Sequence, residues 1–528
     1  MNYRQLTTTE ISQLEAQGCT ACDWNVVHVA AEGFGTQDIS NVHFTGTVYL
    51  AAGVTLHNVC DLGASGQTTF ANGLQVDVLK EDGGLPVIIY DGLTSMEAAF
   101  EVQEVAKSPD AVARMQAVAQ QYADSVKCDG SIIDEGAVIC DVRQLRDVHV
   151  GPAAHITGAT RLVDVSICSV PEAPSSVGDN VIMEHVIIGS DTHITDGAQL
   201  DNSYVGQGCH IGRMFSATQS LFFANCHYEN GEACALFAGP YSVSHHKATL
   251  MIACQTSFFN AGSGSNQSNH SYKMGPNKYG QLLRGAKLGS SSYVYWPMQI
   301  GVFSTVIGHH VGHQDLRDLP FSLITEDSGR TIIVPGQALR SVGTRRDVLK
   351  WPKRDKRTAG SSTRRDLIDF TMLNPYNVGY ILRGLDVLRS MKAMGSEEYK
   401  GCRISAKHVE RGIKLYELAI TMYLGQVIEK AAVGTAATVA AGSGTGEWAD
   451  YGGMLVPRQE LLDALAAGQT FADMSALLPA YEQQWAAAHF DLSDSQALIS
   501  HAARATNEWN TMLDQDGERD LEACNISF

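Results

Sequence analysis

Two adjacent imidazoles stand in YSVSHHKATL: His245 and His246, just after Gly239 and Pro240. Imidazole with a free pKa of ~6.5 can take a proton from an amine or hydroxyl as it attacks a thioester, while backbone N–H groups hold the oxyanion. Neighbouring strand residues face opposite sides, so one of the pair points outward and the other packs inward or into a corner. His246 is the favoured base, and structural roles compete with it. Lys247 suits a phosphate or carboxylate, or simply solvent. The stretch NAGSGSNQSNHSYK (260–273) follows, in which nearly every side chain is small or hydrogen-bonding. Such a loop can wrap a phosphate or sugar with backbone N–H groups and Asn amides, although a glycine-serine linker looks similar. Asn260, Asn266, Asn269, His270 and Lys273, flanked by Phe258, Phe259 and Tyr272, favour a binding loop.

Other groups carry weaker signals. His309, His310 and His313 form a third cluster. Zinc needs three convergent ligands and an open position, and turn histidines are the blander reading. Glu229 and Glu232 in HYENGEAC can orient a histidine or a substrate hydroxyl, or sit in a surface turn. Cys19 and Cys22 make a single CxxC without the second pair that a structural zinc wants. The twelve cysteines show no disulfide-framework spacing. A basic run, RSVGTRRDVLKWPKRDKRTAGSSTRRD, reads as a solvated face or as an arm that grips a phosphate group or an acidic neighbour.

The elements that must position these groups are legible as repeats. Hexads opening on Ile or Val recur at 133–138, 150–155, 156–161, 177–182, 188–193, 194–199, 205–210 and 211–216. An aliphatic residue every sixth position points inward from a flat face, with a small residue at the crowded corner. Three faces make a coil, and stacked coils pair their strands in parallel. Between 217 and 299 the sixes blur, which is where functional departures are expected. Residues 94–127 have helical composition, with Pro109 in the first turn of a second helix. TEISQLEAQG (9–18) predicts a short helix opening at its Thr and ending at Gly18. Beyond Leu373, apolar residues at i, i+3, i+4 spacing predict a helical region.

The repeats resemble those of the left-handed β-helix proteins of the hexapeptide-repeat transferase superfamily. Over residues 5 to 400 the chain is also similar to an uncharacterised family of long hexapeptide-repeat proteins, known only as a domain of unknown function. That second likeness lies in SLFFANCHYENGEACALFAGPYSVSHHKATL (220–250), SFFNAGSGSNQSNHSYKMGP (257–276) and LRSVGTRRDVLKWPKRDKR (339–357). The superfamily resemblance implies a homotrimer with sites in grooves between prisms. It also implies acyl transfer from an acyl-CoA or acyl carrier protein to a sugar amine or hydroxyl, with a prism-wall histidine as base.

The expected architecture is a mainly β, left-handed parallel β-helix with a helical insertion and a C-terminal α-helical domain. Its parts are 1–92 with short coils, 93–127 helical, 128–345 the main β-helix, 346–372 a basic arm, and 373–528 helical. The expected function is acyl transfer to a sugar or nucleotide-sugar amine or hydroxyl, with His246, His245 and His270 as catalytic candidates. Asn225, Lys247, Asn260, Asn266, Asn269, Lys273 and Arg345 are the substrate-binding candidates. The segment from Arg345 to Arg357 supplies charge for a phosphate-bearing donor such as coenzyme A. The alternatives are a non-catalytic sugar- or nucleotide-binding scaffold and a carbonic-anhydrase-like, metal-dependent hydro-lyase.

Composition narrows the classes. A net charge of -19 repels a phosphate backbone, which argues against nucleic-acid and anionic-membrane surfaces. No apolar run reaches the ~18–20 residues of a membrane span. The N-terminal stretch has neither a basic start nor an apolar core, so a cytoplasmic location is expected. No glycine-rich nucleotide loop opens the chain, AAEGFGTQD being a poor substitute.

Overall fold

The computed structural model describes residues 2–269, 275–357, 364–433 and 438–524, and shows a parallel β-solenoid accompanied by helices. The chain divides into two compact units. The first comprises residues up to Cys254 with 355–366 and the segment ending at Lys278; the second comprises 255–269, 279–354 and 367 onward.

In the first unit the coils stack in strict register. Leu145, Leu162, Met183, Leu200, Ala217, Ala233 and Met251 form one inward column. Ile139, Ile156, Val177, Ile194, Ile211 and Tyr228 form a second. All thirteen are buried. Each large aliphatic side chain in these columns contributes ~1.5–3 kcal/mol by leaving water. The register explains why sixes blur: Gln199 pairs Ser216, seventeen residues on, whereas Ser216 pairs Glu232, sixteen on. A coil that varies in length shifts the hexad frame without leaving the ladder.

Corners are held by residues in the left-handed region, among them Asp191 and Asn225, which tolerate it better than most side chains. Helix α1 (Thr8–Ala16) is capped by Thr7, two residues before the Thr expected to open it. Glu10 lies three positions after Thr7, so Thr7 and Glu10 close a reciprocal capping box that Thr9 could not make. Helices α2 (Ser95–Glu104) and α3 (Pro109–Ser125) interrupt the coils, with Pro109 in the first turn. They are tied to the wall by the Tyr204 hydroxyl, which donates to the Leu93 carbonyl (2.7 Å), and by the Ser95 N–H, which donates to Asp366 Oδ1 (2.7 Å).

The second unit carries further coils. Asn260 pairs Lys287 and Lys287 pairs Thr305, while Asn266 pairs Tyr293 and Tyr293 pairs His309. The polar stretch expected as a loop therefore supplies two rungs, Asn260–Ala261 and Asn266–Ser268. Small residues suit these short strands and corners, and the inward position goes to Gln267. A hairpin of Leu323–Asp327 and Arg330–Val334 precedes helix α4 (Val342–Lys350). The long helices α5 (Pro375–Met394) and α6 (Ala406–Val433) pack together, followed by α7 (Arg458–Ala466), α8 (Phe471–Ser475), α9 (Leu478–His489) and α10 (Ser495–Cys524). Arg284, 2% exposed, lies with Nη1 3.6 Å from Asp450 Oδ2 and its guanidinium over the Phe258 ring. Among the described residues, no helix is long and apolar enough to cross a membrane.

Candidate functional site

One outward column of the first unit is made of histidines. His193 pairs His210 and His210 pairs His227, each seventeen residues apart. The next residue in each strand, Ile194, Ile211 or Tyr228, is buried, so strand alternation turns the imidazoles out. His227 and Glu229 share a strand two positions apart and therefore one face. The ladder partner of Glu229 is Gly212, which has no side chain to occupy the space between Glu229 and His210.

The result is convergence. Glu229 Oε1 lies 3.1 Å from His227 Nε2 and 3.4 Å from His210 Nε2, and Arg213 Nη1 lies 3.2 Å from its other oxygen. The Nε2 atoms and the Glu229 carboxylate oxygen all fall within 4.8 Å of one another. The His210 and His227 rings meet edge to face at 4.8 Å, with His245 beside His227 at 5.7 Å.

Electrostatics set the protonation states. Burial pushes the Glu229 carboxyl up, but the His227 hydrogen bond and the charges of His227, Arg213 and His210 win and hold it below the usual carboxylate range. Burial and the neighbouring His227 depress His210. Burial, His246 and His227 depress His245. Near neutrality the cluster therefore offers an anionic carboxylate at Glu229 and lone pairs on the depressed imidazoles His210 and His245. That set can hold a divalent metal ion or remove a proton from a hydroxyl.

The anticipated site residues scatter. His245 adjoins the cluster with its ring 4.3 Å from that of His246, which is exposed, as is Lys247. Asn225 occupies its corner with the amide committed: Nδ2 donates to Asp355 Oδ1 (3.0 Å) and Oδ1 accepts from the Lys356 N–H (2.8 Å). Asn260, Asn266 and Asn269 belong to the second unit, where Asn260 is exposed and Asn269 buried. Arg345, also in the second unit, donates to Asn510 Oδ1 at 3.3 Å. His270 and Lys273 lie outside the described residues. Glu232 is exposed, whereas Glu229, read as able to orient a histidine, contacts His227.

Part of the basic run is neutralised by nearby aspartates. Arg357, 5% exposed, bonds both Asp355 oxygens and the Asp366 carbonyl, and Asp347 gathers Lys287, Arg346 and Lys350. His310 is buried with both ring nitrogens engaged, to Thr331 Oγ1 (2.9 Å) and the Ile307 carbonyl (3.2 Å), so it has no lone pair for a metal. His210, His227 and Arg213 were not singled out by spacing in sixes. The signal that finds them is recurrence of His every seventeen residues.

The family described as "Domain of unknown function (DUF4954)" matches residues 3–55 and 50–392. An uncharacterized protein of Treponema pallidum (strain Nichols) is 23% identical over 325 residues, covering 60% of this chain and 44% of that protein. The chain thus spans less than half the length of that relative. A structure described as a candidate acetyltransferase from Desulfovibrio desulfuricans G20 aligns over 57% of this chain and 68% of that one, at 8% identity. Its TM-score of 0.15 is too low to carry an argument about fold or activity.

Proposed function

The chain belongs to the DUF4954 family, and from its histidine wall we propose that it is a metal-dependent enzyme centred on His210, His227 and Glu229. The observation that carries the reading is the donor geometry. Tetrahedral zinc with bonds of ~2.0–2.1 Å places its ligand atoms ~3.3 Å apart. Glu229 Oε1 stands 3.1 and 3.4 Å from the two Nε2 atoms, and all three donors lie within 4.8 Å of one another, so closing on an ion would need only a small shift of the imidazoles. Two histidines and a glutamate are a known catalytic zinc set that leaves a fourth position for water or a substrate oxygen. When bound, the ion lowers the pKa of that oxygen and polarises a carbonyl. Arg213, 3.2 Å from the second carboxylate oxygen, would steady Glu229, and His245, with its ring 5.7 Å from that of His227, would accept a proton from the bound oxygen. The reaction class is addition of water or a hydroxyl to a carbonyl-type carbon.

A second reading is favoured by the neutral His245 beside the Glu229–His227 pair. It is metal-free acyl transfer from an acyl-CoA-like donor to a sugar or nucleotide-sugar amine or hydroxyl. Glu229 would orient His227, and His227 or His245 would take the acceptor's proton. In that reading the protein is a homotrimer with sites in the grooves between chains.

Elemental analysis of protein purified without chelator, followed by zinc titration, separates the two. About one zinc per chain in the native protein, lost in Glu229→Gln, supports the metal centre. Chain that takes up no zinc at micromolar concentration overturns it. Thiol release from acetyl-CoA in the presence of chelator would then favour transfer.

A further inference from the structure

The helical part of the second unit holds a pocket of about 730 Å³ that no part of the proposed chemistry uses. One face of α5 lines it with Tyr376, Tyr380, Arg383 and Asp386, at spacings that share a side of a helix. Glu447 and Trp448 close a second side, and the last turn of α9 closes a third with Trp485 and His489.

The two arginines of the lining are already matched. Arg383 donates through Nε to Asp318 Oδ1 (2.8 Å), and Arg389 donates through Nη2 to Glu417 Oε1 (2.8 Å). Asp318 and Glu417 stand outside the lining, so each arginine is neutralised from behind. Asp386 and Glu447 have no such cation: among the described residues neither carboxylate enters an ion pair or a side-chain hydrogen bond. The pocket thus keeps two uncompensated carboxylates in a chain of net charge -19, and the local and overall fields both draw a cation.

The rest of the lining suits an organic cation better than a metal. Trp448 spends its indole N–H on the Gly444 carbonyl (2.9 Å) and presents ring surface, and Trp485 stacks on His489 with centroids 4.2 Å apart. Such rings attract an ammonium group through their quadrupole and cover methylene groups. His489 donates through Nδ1 to the Trp485 carbonyl (2.8 Å), leaving Nε2 as an acceptor in the neutral ring. A calcium ion wants ~6–8 oxygen ligands, which two carboxylates among aromatic rings do not supply. A quaternary ammonium would leave both carboxylates without donors, whereas a primary ammonium brings N–H groups to them and stays protonated at neutral pH, as lysine does with a pKa of ~10.4. We propose that this pocket binds an aliphatic diamine or polyamine, its ammonium groups on Asp386 and Glu447 and its methylene chain against the tryptophan rings. The volume lies within the ~300–1,000 Å³ usual for small-ligand sites.

Isothermal titration of the full chain with putrescine, cadaverine and spermidine, and with 1,4-butanediol as the uncharged counterpart of putrescine, tests the site. An ionic strength of about 0.15 M screens exposed charges beyond ~8 Å and suppresses diffuse binding to the acidic surface. At least one amine should bind and the diol should not. Asp386→Asn and Glu447→Gln should each weaken the amine by about tenfold or more. Both residues are exposed, so the thermal midpoint should hold. Arg389→Gln removes a cation from the lining and should leave amine binding as tight or tighter. His227→Ala should leave it unchanged, which separates this site from the proposed metal centre. Absence of binding by all three amines at millimolar concentration overturns the proposal. So does amine binding that survives both carboxylate substitutions, or a diol that binds as well as putrescine.

Discussion

The outward histidine column of the first unit and the inward column of the second put one side chain to opposite uses. His210 and His227 stand on a wall, half-buried, with Nε2 atoms turned toward Glu229. His310 follows Gln267 and Val294 in an inward column, and both its nitrogens are consumed by Thr331 and Ile307. Only strand parity distinguishes them, because successive residues face opposite sides of a sheet. Inside the prism a polar ring must be fully satisfied to be tolerated, so it has nothing left for a ligand. On the wall, solvent tolerates an unfinished coordination set.

Breaking the comparison on its functional side should give the largest effect. His227→Ala should lower zinc affinity at least a hundredfold, about 3 kcal/mol, whereas His310→Leu should leave it unchanged. Equilibrium dialysis against zinc reads both, and loss of binding in both variants would refute the assignment of roles by parity.

A parallel contrast holds for carboxylates. Glu101 is 2% exposed and Glu229 6%, yet their shifts are opposite. Glu229 has cationic partners, whereas burial pushes Glu101 up to about 8 against only the Gln116 amide, at 2.9 Å, and a backbone N–H. The native state therefore binds a proton that the unfolded state releases near pH ~4.3. Stability from this group is complete below that value and falls as pH rises toward 8, by on the order of 1 kcal/mol per pH unit. Glu101→Gln should remove that slope in denaturant titrations at pH 5 to 8. An unchanged slope would mean that another group carries it.

His310→Leu strands the Thr331 hydroxyl and the Ile307 carbonyl, and should cost about 1–3 kcal/mol by chemical denaturation. Gln267, 0% exposed, has neither amide atom hydrogen-bonded. Gln267→Leu should therefore stabilise the protein by about 1–2 kcal/mol, the reverse sign in the same column. A destabilised Gln267→Leu would show that its amide is satisfied. Smallest is Arg213→Ala: the arginine is 64% exposed, so losing its ion pair to Glu229 should change zinc affinity less than about fivefold, consistent with under ~1 kcal/mol.

Much of the scaffold was legible before any coordinates. Aliphatic hexads announced the coils because inward positions must be apolar whatever lies outside, and Pro109 marked the break between α2 and α3 because proline is tolerated only in a helix's first turn. The candidate site was less legible. His245 is conspicuous in the sequence as half of an adjacent pair, whereas His210 and His227 stand singly and the hexad spacing does not single them out. The polar run 260–269 looked like a loop because its small residues carry no periodic apolar signal, yet the ladder recruits them as rungs.

The sequence by itself determined that the chain winds into a parallel solenoid with helices attached, since that follows from local periodicity, corner chemistry and capping. Only the tertiary structure decided that residues seventeen apart become neighbours, that Glu229 reaches both imidazoles across a glycine, and that Asp355 and Asp366 neutralise Arg357. Coil length sets which residues stack, and a one-residue change in it is absorbed between strands while the inward column stays inward. Stacking is a property of the closed coil, so no single strand records it.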